Sequence, residues 1–462
     1  MSRPNEATRM PSASHGFTHD PIAKVLLRTA LPVVFLTSIN GLLTVVDAML
    51  LGVFVGPEAL AAVTLMFPIS MLLLALSAMV SSGMASIVAR QLGAGRLSEA
   101  KATVAGAHGL SIFICVILGV ALLAFSQLVI AAVTSDQTLA AMGHQFLMIS
   151  VLTSPIMFLV SVHSDALRVE GKIGFMALAG LLVSLGNIAF NILLIAGFGL
   201  GVAGSAWGTA AAQGVALGVM LGFRLAGKAH LPVPTPGRNW LAGWTDILAL
   251  GAPRSLSFFG IALGATATIT SVGLHVTTGK DAIIAAYGVV TRIMTFAYLP
   301  LMGLNLAMQA VVGNNYGAGH RDRAGATLRL SMLLALIYCG LAEAVLLVFR
   351  GSLGGVFLSD DAVVGEVGRM LPFYAALYFT MGPTMMVAGY LQSIGDAKHS
   401  ALLSVARTYF FAIPLTFALP LLMGETGIWA ALPVADLMLV LITVVVLSRR
   451  DGALQRGSDE TN

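Results

Sequence analysis

Charged side chains are scarce in this chain. Asp, Glu, Lys and Arg make up 10% of its 462 residues, against about 25% in a soluble globular domain. Too few remain to cover a water-facing surface, which excludes an ordinary soluble enzyme or binding module. With 57% hydrophobic residues and a mean hydropathy of +0.91, lipid is the expected solvent. Cysteine is nearly absent as well. Cys115 and Cys339 lie inside apolar runs and read as small buried hydrophobes rather than a disulfide. No Gly-x4-Gly-Lys-Ser/Thr run is present to cradle ATP, and no His-Glu-x-x-His to hold zinc. Gly199-Leu200-Gly201-Val202-Ala203-Gly204 has the letters of a dinucleotide fingerprint, but it separates two apolar runs and lacks the strand–turn–helix setting. Among His108, His144, His163 and His275 no two have metal-ligand spacing, so buried or interfacial histidines are expected and no metal. Residues 1–20 lack the apolar core of a signal peptide and read as a short disordered tail. The net charge of +4 suits loops on one side of a membrane better than a nucleic-acid surface, and no nucleic-acid partner is expected.

What is present is a series of long apolar segments. A membrane-crossing helix needs about 20 mostly apolar residues. Twelve segments qualify, at 31–55, 60–89, 103–133, 138–164, 173–196, 202–226, 245–275, 282–313, 325–349, 365–392, 399–422 and 427–448. Pro68, Pro155, Pro300, Pro383 and Pro414 fall inside them and predict bends. Of the Lys and Arg residues, 20 group on one side, including Arg90, Arg168, Arg224, Arg323, Lys398 and Arg407, while Lys280, Arg350 and Arg369 hold the other. Arg254 and Arg292 are left within spans or at their rims. That asymmetry predicts cytoplasmic termini and an even number of crossings, which twelve satisfies.

The two halves repeat. Gly93 and Gly317, Ser135-Asp136 and Ser359-Asp360, and Gly171 and Gly395 are each 224 residues apart, in corresponding loops. Six spans per half give both halves the same orientation, a parallel repeat about an axis along the membrane normal. The expected fold is therefore an all-α polytopic membrane protein, with twelve helices in two six-helix lobes. The organisation read from it is a polar cytoplasmic tail at 1–25, an amino-terminal lobe at 26–228 and a linker at 229–244. A carboxy-terminal lobe at 245–450 and a cytoplasmic tail at 451–462 complete it.

Ionisable groups inside the hydrocarbon region cost several kcal/mol and need a reason. Asp47 is the sharpest case. Asn40, Thr44 and Asp47 are spaced four and three apart and share one face of the first span. Asn187 and Asn191 share a face of the fifth, and Thr209 and Gln213 a face of the sixth. Such residues bind helices together or converge on Asp47 as a cation site. Arg292, Glu343 and Asp436 lie in the second half, where Arg292 either faces a cleft or pairs with one of the two acids.

Taken in order, Pro32, Val46-Asp47, Gly52, Ala59-Leu60-Ala61-Ala62-Val63, Gly93-Ala94-Gly95 and Gly313-Asn314-Asn315-Tyr316-Gly317-Ala318-Gly319 resemble the multidrug and toxic compound extrusion (MATE) transporters, from about residue 25 to 450. The resemblance implies a cation-driven antiporter, with no cofactor beyond H+ or Na+, that expels amphipathic, often cationic organic compounds. It implies a cation-coupling site of Asp47, Asn187, Asn191 and Thr209. Asn40, Thr44, Gln213 and Arg292 are candidates for the substrate cavity. Asn191 stands where many proton-coupled members carry a second Asp. Sodium-coupled members carry a Glu in the seventh span and an Asp in the tenth, and Phe258-Phe259-Gly260-Ile261 and Thr380-Met381-Gly382 have neither. Proton coupling through Asp47 is the expectation. A bacterial inner-membrane protein follows, acting as a monomer in the lipid bilayer on small organic substrates. The alternatives are a lipid-linked oligosaccharide flippase of the same superfamily, disfavoured by the lack of cavity cations beyond Arg292, and an intramembrane prenyl-transfer enzyme, disfavoured by the lack of clustered carboxylates. A passive receptor or channel is a further rival, which the repeat around a buried Asp47 disfavours.

Overall fold

A computed structural model describes residues 12–235, 237–357 and 360–459, and among these every regular element is helical. In chain order the α-helices are α1 Ser12–His19, α2 Ile22–Phe54, α3 Pro57–Leu65, α4 Phe67–Gly93, α5 Leu97–Val133 and α6 Gln137–Val169. Next come α7 Ile173–Asn191, α8 Gly201–Leu225, α9 Trp244–His275, α10 Lys280–Gly317 and α11 Arg321–Val348. The last are α12 Asp361–Ala375, α13 Tyr378–Ser393, α14 Ala397–Val405, α15 Ile413–Ala418, α16 Pro420–Met423 and α17 Glu425–Asp459. Two π-helical stretches interrupt the α geometry, at Ile192–Gly197 after α7 and at Ala406–Ala412 between α14 and α15.

Eleven helical stretches are long and apolar enough to cross a membrane. The remaining segment, 365–392, the tenth in chain order, is divided between α12 and α13 at Leu377, whose φ of 64° lies in the left-handed region. The exposed N-terminus of α13 receives Glu343, whose carboxylate accepts the Phe379 N–H at 2.9 Å. Glu343 thus satisfies a broken helix and does not partner Arg292. With α12 and α13 counted as one broken crossing, the chain makes the twelve crossings its hydropathy predicts. Large apolar side chains such as Leu123, Leu152, Leu341 and Leu422 remain exposed, as a lipid-solvated surface requires.

Backbone contacts divide the described residues into two compact units. The first runs to Ser255 and adds Leu306–Thr327 and Ser393–Gly395; the second holds Leu256–Asn305, Leu328–Gln392 and the chain from Asp396 onward. Val80, Met84 and Val88 of α4, Ala107 and Leu110 of α5, Phe158 and Val162 of α6, and Ala310 and Val311 of α10 form the first core. In the second, Val289, Val290, Val367, Met370 and Leu371 pack with Trp429. There Tyr374 stands 6.3 Å from Tyr287 and 6.4 Å from Trp429 between ring centres.

Two expectations need correction. The first span begins at Ile22 rather than residue 31. The tail is helical from Ser12, with Phe17 buried and its carbonyl accepting the Asn315 side chain at 3.0 Å. The Arg323 guanidinium donates to the Asp20 carbonyl at 2.7 Å. Backbone anchoring by two donors explains why a polar segment is held; residues 1–11 lie outside those described.

The segment after α8 is docked on the first unit as well. Arg224 and Glu170, both fully buried, lie 2.8 Å apart. Glu170 accepts the His230 and Leu231 N–H groups at 2.7 and 3.1 Å, and Arg224 donates to the Leu231 carbonyl at 2.6 Å. Trp244 donates to the Gly106 carbonyl at 3.0 Å. Burial pushes the His230 imidazole below its ordinary range, and the Lys172 charge adds to that while Glu170 opposes it.

Candidate functional site

Three helices of the first unit are joined by side-chain hydrogen bonds. On α7, Ser184, Asn187 and Asn191 recur at spacings of three and four and form one polar stripe. The Ser184 hydroxyl donates to the Asn40 side chain of α2 at 2.6 Å. The Asn187 amide donates to the Thr209 hydroxyl of α8 at 2.7 Å, and Asn191 donates to Asn187 at 3.2 Å. Thr209 turns its own proton back to the Ser205 carbonyl at 3.1 Å. Gly208 makes room for the stripe, since a Cβ there would overlap the Asn191 side-chain oxygen. Gln213 is half-buried one turn along α8. Sequence reasoning missed Ser184, although the three-and-four spacing to Asn187 and Asn191 is visible in the letters.

The side chains of Thr44 and Asp47 lie outside the described residues, but the backbone register places Asp47. As the first and fifth crossings, α2 and α7 run in the same direction. Gly180 packs against Leu36, so that a Cβ there would meet the Leu36 methyls at 2.6 Å, and Ser184 bonds Asn40. Both pairs differ by 144 residues. Continuing that register by seven residues along two parallel helices brings the backbone at residue 47 level with that at Asn191. Asn191 is fully buried, and α7 passes into its π-helical stretch at the next residue; π-bulges recur at functional positions.

The second unit differs from expectation. Arg292 is exposed on α10 and forms no salt bridge among the described residues. Asp436 pairs instead with Arg407, which receives it on two nitrogens, Nε at one carboxylate oxygen and Nη2 at the other, the latter 3.1 Å away. Arg407 was counted with the charges on one side of the membrane. It lies in the π-helical stretch ten residues into the crossing that starts at Ala397, and the carboxylate of α17 offsets its desolvation. His108 and His163 also meet, with their Nε2 atoms 3.1 Å apart, though 55 residues separate them in sequence.

A further set of contacts surrounds one end of the first unit. The Arg90 guanidinium donates to the Ser393 carbonyl at 2.9 Å, and the Asn314 amide donates to the Val169 carbonyl at 3.1 Å. A Cβ on Gly93 would overlap the Asn314 carbonyl, and one on Gly317 would overlap that of Arg90. Each contact is the other moved by 224 residues at both partners. The repeat therefore forms a two-fold collar in which α4 and α10 cross at backbone contact. Arg168, 1% exposed, adds a bond to the Leu306 carbonyl at 2.7 Å while paired with Asp165.

A family model described as MatE matches residues 32–218 and 254–418. The FAD transporter of Shewanella oneidensis is 24% identical over 92% of this chain and 94% of its own length. The multidrug export protein MepA of Staphylococcus aureus is 24% identical over 94% and 96%. A solved multidrug resistance MATE family transporter of the MOP superfamily, in an outward-facing conformation, aligns with a TM-score of 0.87 at 21% identity, over 97% of this chain and 99% of that one.

Proposed function

The chain belongs to the MatE family, and from that premise we propose that it is a secondary efflux transporter, not an enzyme, which exchanges H+ for small amphipathic organic compounds by alternating access. The observation that supports the coupling step is the shared register of α2 and α7, seen in the Leu36–Gly180 and Asn40–Ser184 contacts, together with the Asn187–Thr209 bond further along the α7 stripe. Relatives named for multidrug export and for FAD transport support an organic substrate.

Facing outward, the Asp47 carboxylate takes a proton and becomes a neutral donor. Its loss of charge changes which partners it favours on the α7 stripe. Pro32 and Gly41 give α2 the freedom to bend in response. The bend weakens the substrate's hold, and substrate leaves. The collar of Arg90, Asn314 and the two glycines closes the cytoplasmic end in this state and parts when the protein turns inward, where Asp47 releases its proton. Coupling arises because a group that binds the proton better in one state biases the chain toward that state.

Ethidium accumulation in cells of a bacterium expressing the chain tests this. Expression lowers accumulation, a protonophore restores it, and Asp47→Asn abolishes the effect at equal expression. Export that survives in Asp47→Asn, or that follows external Na+ instead of the proton gradient, refutes the coupling site.

A further inference from the structure

The Arg407–Asp436 pair of the second unit has no part in the exchange just described. Both residues lie near the middle of their crossings, ten residues beyond Ala397 and eleven beyond Glu425. An arginine at that depth faces protein or a water-filled cavity, because lipid offers its donors nothing. The two partners differ in exposure: the Asp436 side chain is 7% exposed and that of Arg407 is 24%. Of the two side chains, that of Asp436 is the more sheltered and that of Arg407 the more accessible.

Donors exceed acceptors here. Asp436 occupies the Nε–Nη2 edge of the guanidinium. Of the five N–H groups, the two on Nη1 and the second on Nη2 have no partner among the described residues. They form the other bidentate edge of the fork, the one that matches a carboxylate or phosphate. Tyr298, Tyr374 and Tyr378 lie within electrostatic reach of the same guanidinium. The Tyr378 ring is 3% exposed, and its hydroxyl has no hydrogen-bond partner among the described residues. A buried phenol without a partner is a costly feature in a crossing helix. An oxyanion would meet the free donors on the open edge of Arg407, while the tyrosine rings offer apolar faces to an aromatic body.

We propose that Arg407, oriented by Asp436 and flanked by Tyr378, binds the oxyanion group, carboxylate or phosphate, of an aromatic organic substrate. The inference rests on the transporter reading above for the ligand being cargo, and it adds a charge preference that the Asp47 site does not supply. Asp436 acts as a positioning residue. It fixes the plane of the guanidinium and neutralises it when no ligand is bound, so that an isolated cation is never left in the membrane.

The test uses three probes with one ring: 1-naphthoate, 1-naphthyl phosphate and 1-naphthol, titrated calorimetrically into the purified full chain in lipid nanodiscs. At least one anion binds about tenfold or more tightly than naphthol, the size expected of charge-assisted hydrogen bonds. The two anion arms decide between carboxylate and phosphate. In the Arg407→Gln/Asp436→Asn double variant, which leaves no unpaired charge, the preference vanishes while naphthol binds as before. Arg407→Lys keeps the charge but loses the fork, and it cuts the preference as well. Naphthol binding as tightly as both anions overturns the proposal, as does a preference that persists in both variants. Ethidium export, measured alongside, separates the two readings. Absent export with an intact anion preference removes the proton-exchange reading and leaves this site standing; intact export without the preference does the reverse.

Discussion

Gly208→Ala is the smallest change that reaches the α7 stripe. The added methyl would overlap the Asn191 side-chain oxygen and lie 3.0 Å from the Asn191 nitrogen and 3.1 Å from its Cγ. Ordinary contact for a methyl carbon is roughly 3.5 Å or more. One of the three obstructing atoms is the Asn191 backbone nitrogen, so rotating the side chain alone does not clear the site. Either α7 and α8 separate or Asn191 gives up its bond to Asn187. Overpacking of this kind costs about 1–3 kcal/mol, and the helix preference of Ala over Gly returns at most about 1 kcal/mol. Gly214, also on α8, is the control, since a Cβ there meets nothing within 4 Å. Thermal unfolding of the detergent-solubilised chain should place Gly208→Ala below wild type and Gly214→Ala at or above it. Ethidium export should fall only in Gly208→Ala, because the proposed coupling site includes Asn191. Equal stability and equal export for the two variants would refute both the close approach and the role given to the stripe.

Glu170→Gln leaves Arg224 as a buried cation without its counter-charge and should lower stability by about 3–5 kcal/mol. Arg224→Met/Glu170→Leu should recover only part, since the Leu side chain leaves the His230 and Leu231 N–H groups without their acceptor, and the unfolding free energies of both variants read this. His230 protonates less readily folded than unfolded. As pH falls from the ordinary histidine value of about 6.5 toward the lower folded one, the unfolded chain takes up a proton that the folded chain refuses, and stability drops. His230→Gln should flatten that part of the stability–pH curve, and an unchanged slope would contradict the burial argument. Arg90→Ala and Asn314→Ala each remove one bond of the collar. A cysteine placed at the fully buried Val311 should react faster with a maleimide in either variant and fastest in the double, whereas equal rates in all would deny that the collar closes this end.

The crossings were legible because lipid imposes length and apolarity on each one, independently of what packs where. The break at Leu377 was not, since a left-handed residue is usually announced by glycine and here it is leucine. Arg407 was misplaced for a related reason. Counting positive charges measures distance from a loop along the chain, and the carboxylate that permits an arginine at depth arrives 29 residues later on another helix. The candidate site was half legible. Spacing of three and four identifies a polar face on one helix, and Asn187, Asn191 and Thr209 were found that way. Which faces meet depends on register between helices, which only packing reveals: the 144-residue offset of Gly180 and Ser184 to their α2 partners has no trace in either segment alone.

The collar separates what a repeat conserves from what it leaves free. Gly93 and Gly317 match letter for letter because each lies against a backbone carbonyl, where any Cβ would collide. Their neighbours Arg90 and Asn314 do not match, yet each sends a side-chain N–H to the carbonyl at the equivalent place on the other half, Ser393 and Val169. A close approach admits one residue type, while a hydrogen-bond donor can be supplied by several. Sequence comparison between the halves therefore detects the contacts that depend on missing atoms and overlooks those that depend on a present one. The same rule applies to Asn187 and Asn191 in the first half and the Arg407–Asp436 pair in the second. Both join the last two crossings of their halves through polar side chains, with neutral amides in one and opposite charges in the other. Both halves thus carry a polar tie between their last two crossings, a few residues apart in the repeat, and its chemistry differs between them.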